Sequence, residues 1–237
     1  MDTLLSKLST IDWLQAAETM HQKGFALIPG ILDDSQCEAL KKNYINDDGY
    51  RKTVVMERHQ YGLGEYKYFD YPLPPVIQTL RETTYPHLAA IANQWMQALN
   101  SGVAFPATHE ELLAQCQANG QRKATVLILK YGKGGFNALH QDLYGSVYFP
   151  IQVVLFLSEP NSDYTGGEFV LIEQVPRAQS KARVLLPNKG DMLVFTTNFR
   201  PAKGKNRYYR VNVKHGVSEV HEGERYTLGI IFHDALS

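Results

Sequence analysis

A chain of 237 residues, 44% hydrophobic and 20% charged, has the composition of an ordinary globular protein and enough length to bury a large core. Lysine plus arginine and aspartate plus glutamate balance at 24 each, which excludes a global basic field for nucleic acid or an anionic membrane and confines any such contact to a local patch. Cys37 and Cys116 lie far apart and outside any CxxC spacing, so neither a disulfide framework nor a zinc–thiolate site is suggested and two reduced thiols are expected.

The opening MDTLLSKLST lacks the basic start and unbroken apolar core of a signal peptide, and no later segment approaches ~18 consecutive apolar residues. A cytoplasmic protein with no membrane partner is expected. TIDWLQAAETMHQKG reads as a helix stopped by Gly24, and FALIPG as a short buried strand. Ser35 and Glu38 have capping-box spacing, so a helix is expected to begin there. Pro74 to about Asn100 is again mostly helical, punctuated at Pro86, and Thr108 with Glu111 offers a second capping box for a helix ending near Gly120. QYGLGEYKYFDYPLPP is too rich in glycine and aromatics for a helix and reads as a hairpin or ordered loop.

After Gly120 the period changes to that of strands. KATVLILKY, FNALHQD, VYFPIQVVLFLSE, GGEFVLIEQ, ARVLLP, DMLVFTT, YYRVNVKHGV and RYTLGIIFHDA are short apolar or alternating runs bounded by turn formers. About eight such strands with no helices between them predict an α+β fold, with a jelly-roll core and the early helices packed on one side. The absence of repeats and linkers favours a single domain over 1–237, with 1–120 as mostly helical support and a candidate substrate lid, and 121–237 as the core.

Within NALHQDLYG, His140 and Asp142 stand two residues apart, and on a strand residues i and i+2 share a face. Imidazole and carboxylate aimed at one point are two thirds of the 2-His-1-carboxylate face that holds non-haem Fe(II) and leaves positions open. His215 is the best third ligand: it shares parity with Val211 and Val213, while Arg210, Asn212 and Lys214 fall on the wet face. Ten residues further, Arg225 opens the last strand with Thr227 on its face. A charge there must meet an anion, either a structural carboxylate or a bound one. Tyr131 ends the strand leading into the His-Asp turn, where it serves either core packing or the same anion.

His140, Asp142, His215, Arg225 and Thr227 together resemble the HxD...H...RxS/T signature of the Fe(II)/2-oxoglutarate-dependent dioxygenase superfamily, over roughly residues 120 to 235. GGEFVL and PNKGDMLVF resemble the segments between its metal motifs. The resemblance implies a double-stranded β-helix core, with His140, Asp142 and His215 as the iron ligands. It also implies Arg225, Thr227 and Tyr131 around 2-oxoglutarate, and O2 as second cosubstrate. KYGKGGFNALHQD resembles the alkylated-base demethylases, which place a tyrosine where Tyr131 stands, and the whole chain looks most like a bacterial group of oxygenases predicted to act on nucleic acid. Leu129 replaces an asparagine of those demethylases, and the spacing from His215 to Arg225 is that of prolyl hydroxylases. The substrate classes implied are nucleic acid, or a protein side chain or small molecule, with a non-catalytic metal-binding barrel as a third reading.

RPAKGKNRYYR carries Arg200, Lys203, Lys205, Arg207 and Arg210 with Tyr208 and Tyr209 and no acid, a mixture suited to phosphates and stacked bases or to a solvated loop. Only one of the two tyrosines is expected to face the metal site. Tyr144 is a candidate for lining the site. His233 reads as structural, and His21, His59, His87, His109 and His221 as surface or packing residues.

Overall fold

Two antiparallel sheets face each other across an apolar interior, built from the alternating segments after Gly120 and from strands contributed by the first half of the chain. The computed structural model describes residues 2–47, 49–175 and 177–237. Its helices are α1 (Asp2–Ser9), α2 (Trp13–Lys23), α3 (Asp34–Ile45), α4 (Pro75–Ala98) and α5 (His109–Ala118). The strands before the core are β1 (Phe25–Ile28), β2 (Tyr50–Val55), β3 (Gly62–Leu63) and β4 (Glu65–Phe69). Then follow β5 (Leu127–Tyr131), β6 (Phe136–His140), β7 (Ile151–Phe156), β8 (Tyr164–Gly166), β9 (Phe169–Gln174) and β10 (Lys181–Leu185). The chain closes with β11 (Met192–Thr196), β12 (Phe199–Lys203), β13 (Tyr208–Val217), β14 (Val220–Gly223) and β15 (Arg225–Ile230).

The larger sheet has the order β1-β11-β7-β15-β5-β4-β2, the smaller β10-β9-β13-β6-β3 with β12 paired to β13. Val154, Phe156, Phe169, Leu171, Leu193, Phe195 and Val213 fill the space between them. The other face of the larger sheet, with Ile128, Ile151, Val153, Leu155, Leu228 and Ile230, packs on Leu4, Leu8, Met20, Leu80, Leu88 and Trp95 of the helical layer. This is the expected jelly-roll core with helices on one side. The central strand β7 is buried along its whole length, as its unbroken apolar run requires.

Several local expectations need correction. The capping box of α3 joins Asp33 to Gln36, not Ser35 to Glu38; the Ser35 hydroxyl donates to Asp33 Oδ1 at 2.7 Å and Glu38 pairs with Lys41 and Lys189. Pro86 does not interrupt α4. An interior proline costs about 3 kcal/mol, and the burial of Leu80, Tyr85, Leu88, Ile91 and Trp95 around it, at about 1.5–3 kcal/mol for each large apolar side chain, outweighs that. FALI is not fully buried: as β1 it forms a sheet edge, with Leu27 exposed. Most consequentially, residues 1–120 are more than helical support. YRKTVV forms β2, a strand the sequence did not reveal, paired with β4, which pairs in turn with β5. The aromatic segment is thus partly a hairpin, and it extends the larger sheet. Among the described residues, no helix is long and apolar enough to cross a membrane.

Candidate active site

Strand pairing brings the two histidines together. β6 ends at His140, whose Cα partner on β13 is His215, and side chains directly opposite on one face meet; the ring centroids are 4.2 Å apart. Asp142 lies beyond the end of β6, so strand parity does not aim it. Its backbone N–H donates to Thr197 Oγ1 at 3.0 Å, just past β11, and Gln141 Nε2 donates to the carbonyls of Asn198 (2.9 Å) and Val213 (2.8 Å). These bonds turn the carboxylate back toward the histidines. Asp142 Oδ1 lies 3.5 Å from His140 Nε2, and Oδ2 3.3 Å from His215 Nε2. One donor atom from each of the three residues falls within 4.8 Å of the others.

The protonation states suit a cation. His140 Nδ1 lies 2.7 Å from the Ala138 carbonyl and must donate to it, which leaves Nε2 as the nitrogen that faces Asp142. His215 stacks on Phe169 and touches Phe195; burial and neighbouring His140 lower its pKa, so the ring is neutral at pH 7. Burial opposes ionisation of Asp142, but the hydrogen bond with His215, the two imidazoles and the Tyr144 hydroxyl outweigh it and hold the carboxyl well below the usual range. Two imidazoles and one carboxylate, with open space beside them, fit the Fe(II) facial triad. A structural zinc site would close its shell with a fourth ligand, and none joins the cluster among the described residues.

Arg225 opens β15 opposite Tyr131 of β5, and Thr227 lies opposite Leu129. The guanidinium is 1% exposed, and its Nε and Nη1 have no partner. Its carbon sits 5.6 Å from the Tyr131 ring centroid and 5.5 Å from that of Phe156. Gly167, at φ +63°, lets the side chain pass: a Cβ there would lie 2.9 Å from Arg225 Cδ. A buried guanidinium with two unmet donors is costly unless an anion completes it. Asn137 Nδ2 donates to the Tyr131 hydroxyl at 3.3 Å.

One cavity of about 600 Å³ is lined by His140, Asp142, His215, Tyr131, Arg225 and Thr227. Its far wall is formed by Arg51 of β2 and Tyr66 and Tyr68 of β4, with the Arg51 guanidinium 4.6 Å over the Tyr68 ring. His59 and Tyr61 stack at the rim, and the Tyr61 carbonyl accepts from Ala138 N at 2.8 Å. The aromatic segment expected as a lid is therefore bonded as a wall to the strand that carries His140. Tyr144 lines the site as expected, its hydroxyl donating to Asp142 Oδ1 at 3.0 Å.

Arg51, His59, Gln152 and Thr197 were not legible as site residues. β2 lacks a clean alternation, and nothing in sequence links Thr197 to Asp142, 55 positions away. The basic segment folds as the β12–β13 hairpin. Tyr208 lies seven positions before His215 on β13, about 23 Å away, and neither Tyr208 nor Tyr209 lines the cavity. Arg200 is committed to Glu173 at 2.8 Å and Arg210 to the Phe199 ring at 4.4 Å. His233 is buried and accepts from Phe149 N–H, while His21, His87 and His109 contact Trp95, Trp13 and the Phe232 carbonyl.

A family model, Oxygenase-NA, described as an "oxygenase, catalysing oxidative methylation of damaged DNA", matches residues 64–235. The chain belongs to the Oxygenase-NA family. Two Mycobacterium tuberculosis relatives, "Uncharacterized protein MT2286" (strain CDC 1551 / Oshkosh) and "Uncharacterized protein Rv2227" (strain ATCC 25618 / H37Rv), are each 47% identical over 167 residues, 70% of this chain and 72% of theirs. A Pseudomonas putida prolyl-4-hydroxylase shares the fold at TM-score 0.54 and 16% identity, over 94% of this chain and 100% of that one. A Burkholderia pseudomallei oxidoreductase of the 2OG-Fe(II) oxygenase family does so at 0.52 and 13%, over 95% and 93%. A Trichoplax adhaerens prolyl hydroxylase, in complex with a hypoxia inducible factor oxygen degradation domain peptide, does so at 0.54 and 14%, over 98% and 92%. Oxygenase-NA membership makes the chain an oxygenase, and its fold is one that 2OG-Fe(II) oxygenases share.

Proposed function

We propose that His140, Asp142 and His215 hold Fe(II), that Arg225 pairs with the far carboxylate of 2-oxoglutarate, and that the substrate is a methylated base in nucleic acid. The observation that carries the reading is the buried Arg225, whose Nε and Nη1 lack partners in the same cavity as the cluster. A purely structural metal site has no use for such a group, which disfavours the non-catalytic barrel. Tyr131 and Thr227, both buried beside Arg225, add hydroxyls to the carboxylate seat.

When bound, the iron would couple O2 to decarboxylation of 2-oxoglutarate, giving succinate and CO2 and leaving the second oxygen atom to enter a substrate C–H bond. The chain's part is to orient, exclude water and hold protonation states. The Ala138 carbonyl fixes the His140 tautomer, Phe169 and Phe195 fix the His215 ring, and the apolar interior strengthens the Arg225 pairing. A hydroxylated N-methyl group loses formaldehyde, so one machinery serves hydroxylation or demethylation according to substrate.

Support for nucleic acid comes from the family description, from Arg51, Lys52 and the His59–Tyr61 stack at the cavity, and from exposed Lys203, Lys205 and Arg207. The runner-up, hydroxylation of a protein side chain or small molecule, is favoured by the prolyl-hydroxylase spacing of Arg225 from His215. We further propose that residues 1–237 act as one domain, since β1, β2 and β4 complete the core sheet, and that it works in the cytoplasm, where buried Cys37 and Cys116 stay reduced. The test is anaerobic loading with Fe(II) and 2-oxoglutarate, then a succinate-release screen over methylated oligonucleotides, peptides and amino acids. Stimulation by oligonucleotides is expected; stimulation only by peptides or amino acids installs the hydroxylase reading.

A further inference from the structure

Asp142 has two oxygens, and they have different neighbours. Oδ2 faces His215 Nε2 at 3.3 Å, whereas Oδ1, 3.5 Å from His140 Nε2, accepts the closer Tyr144 hydroxyl at 3.0 Å. The Tyr144 oxygen in turn takes a longer contact, 3.4 Å, from the hydroxyl of Tyr68 on the cavity wall. The main chain around Tyr144 is clamped as well. Gln121, fully buried, donates through Nε2 to the Val147 carbonyl at 2.8 Å and accepts from Val147 N–H through Oε1 at 2.8 Å. It packs so closely over Gly145 that a Cβ there would meet Gln121 Cδ at 2.3 Å. Phenol and carboxylate are thus held together from both sides.

We propose that Tyr144 is a positioning residue: by occupying Oδ1 it makes Asp142 a one-oxygen ligand, so that the sites beside the three ligands stay open for 2-oxoglutarate and O2. The inference rests on the metal-site reading above and adds a role for a residue that does not itself ligate. A carboxylate freed at Oδ1 is able to donate both oxygens and to compete with the cosubstrate for an open position. Hydrogen bonds to ionised carboxylates are among the stronger ones, and partners of ligands typically change metal-site behaviour ten- to a hundredfold.

The isosteric change Tyr144→Phe in the full chain tests this, with two measurements that need no turnover. Mn(II) binding to the metal-free protein is followed by paramagnetic resonance, and 2-oxoglutarate binding to the Mn(II) and anaerobic Fe(II) forms by calorimetry and by the visible charge-transfer absorption. The expected result is Mn(II) affinity within about threefold of wild type, 2-oxoglutarate affinity lowered roughly tenfold, and a weakened absorption band. Tyr68→Phe, which loosens the phenol but keeps its bond to Asp142, is expected to shift 2-oxoglutarate binding the same way by less. Wild-type 2-oxoglutarate affinity in Tyr144→Phe overturns the proposal, as does a parallel fall of metal affinity, cosubstrate affinity and melting temperature. If Tyr144→Phe does not fold, unchanged 2-oxoglutarate binding in Tyr68→Phe overturns it instead. A wild-type protein that binds no Mn(II) at this cluster removes the metal-site reading first, a failure recognisable because His140→Ala then changes nothing.

Discussion

At the scale of single residues, the candidate site gathers buried Arg225 and His215 with the half-buried His140 and Asp142 around one cavity. His140→Ala or Asp142→Ala is expected to abolish 2-oxoglutarate-dependent succinate formation while the melting temperature stays within a few degrees of wild type, because β6 and Asp142 N–H keep their backbone bonds. Metal content and succinate release together check this, and full turnover with unchanged metal removes the residue from the site. Arg225→Ala is expected to weaken 2-oxoglutarate by roughly ten- to a hundredfold, since a charge-assisted hydrogen bond contributes ~1.5–3 kcal/mol. Titration of the cosubstrate under nitrogen reads that loss directly, and an unaltered affinity assigns the anchor elsewhere. The inward parity of Val211, Val213 and His215 was legible in the alternation of YYRVNVKHGV, whereas the register that sets His215 opposite His140 was not. Asp142 was found by the same argument for an incomplete reason, because its aim depends on Thr197 and not on strand parity.

At the scale of elements, the β12–β13 hairpin and α4 carry separate predictions. Lys203, Lys205 and Arg207 are exposed on the hairpin, whereas Arg200 and Arg210 are spent on Glu173 and Phe199. If the hairpin tracks a single strand, replacing Lys203 and Lys205 with glutamine lowers the salt slope of oligonucleotide binding by about two units of ~0.7. Identical slopes in mutant and wild type place the phosphate contacts on another surface. On α4, Arg81 is wholly buried and donates to Asp234 Oδ1 at 2.9 Å and to the Phe232 carbonyl at 3.0 Å, tying the end of the chain to the helical layer. Asp234→Ala strands that guanidinium, and a loss of roughly 3–5 kcal/mol is expected. Denaturant unfolding measures it, and partial recovery in Asp234→Ala with Arg81→Met separates the stranded charge from lost packing. Neither partner advertises the other in sequence, 153 positions apart.

For the molecule as a whole, two buried histidines join the layers and set its response to acid. His109 of α5 contacts the Phe232 carbonyl, and His233 accepts from Phe149 N–H. Burial, with Arg81 adding to it, lowers their pKa from 6.5 to about 3 and about 4. Both are neutral when folded and free to protonate when unfolded, so their contribution is complete above about pH 6.5. It is lost as pH falls from there toward the folded values. Each is expected to cost roughly 2 kcal/mol by pH 5. Unfolding free energies at pH 7 and pH 5 check this, and His109→Gln flattens the dependence; a parent protein equally stable at both values contradicts it.

What the sequence determined by itself is what local chemistry and a period of two can encode. The strands of the second half are legible because each side chain must choose between interior and water, and the proposed ligands are legible as candidates because Fe(II) chemistry admits few donor sets. The helix stop at Gly24 and the Thr108–Glu111 cap are equally local, satisfied within four residues. Tertiary structure alone decided that YRKTVV is a strand, since β2 exists only through its pairing with β4 and has mixed burial that leaves no clean alternation. It decided as well that Arg51, Tyr66 and Tyr68 wall the cavity, and which oxygen of Asp142 faces His215 and which Tyr144. These depend on contacts between segments far apart in the chain, whose free energy appears only once the two sheets have closed on each other.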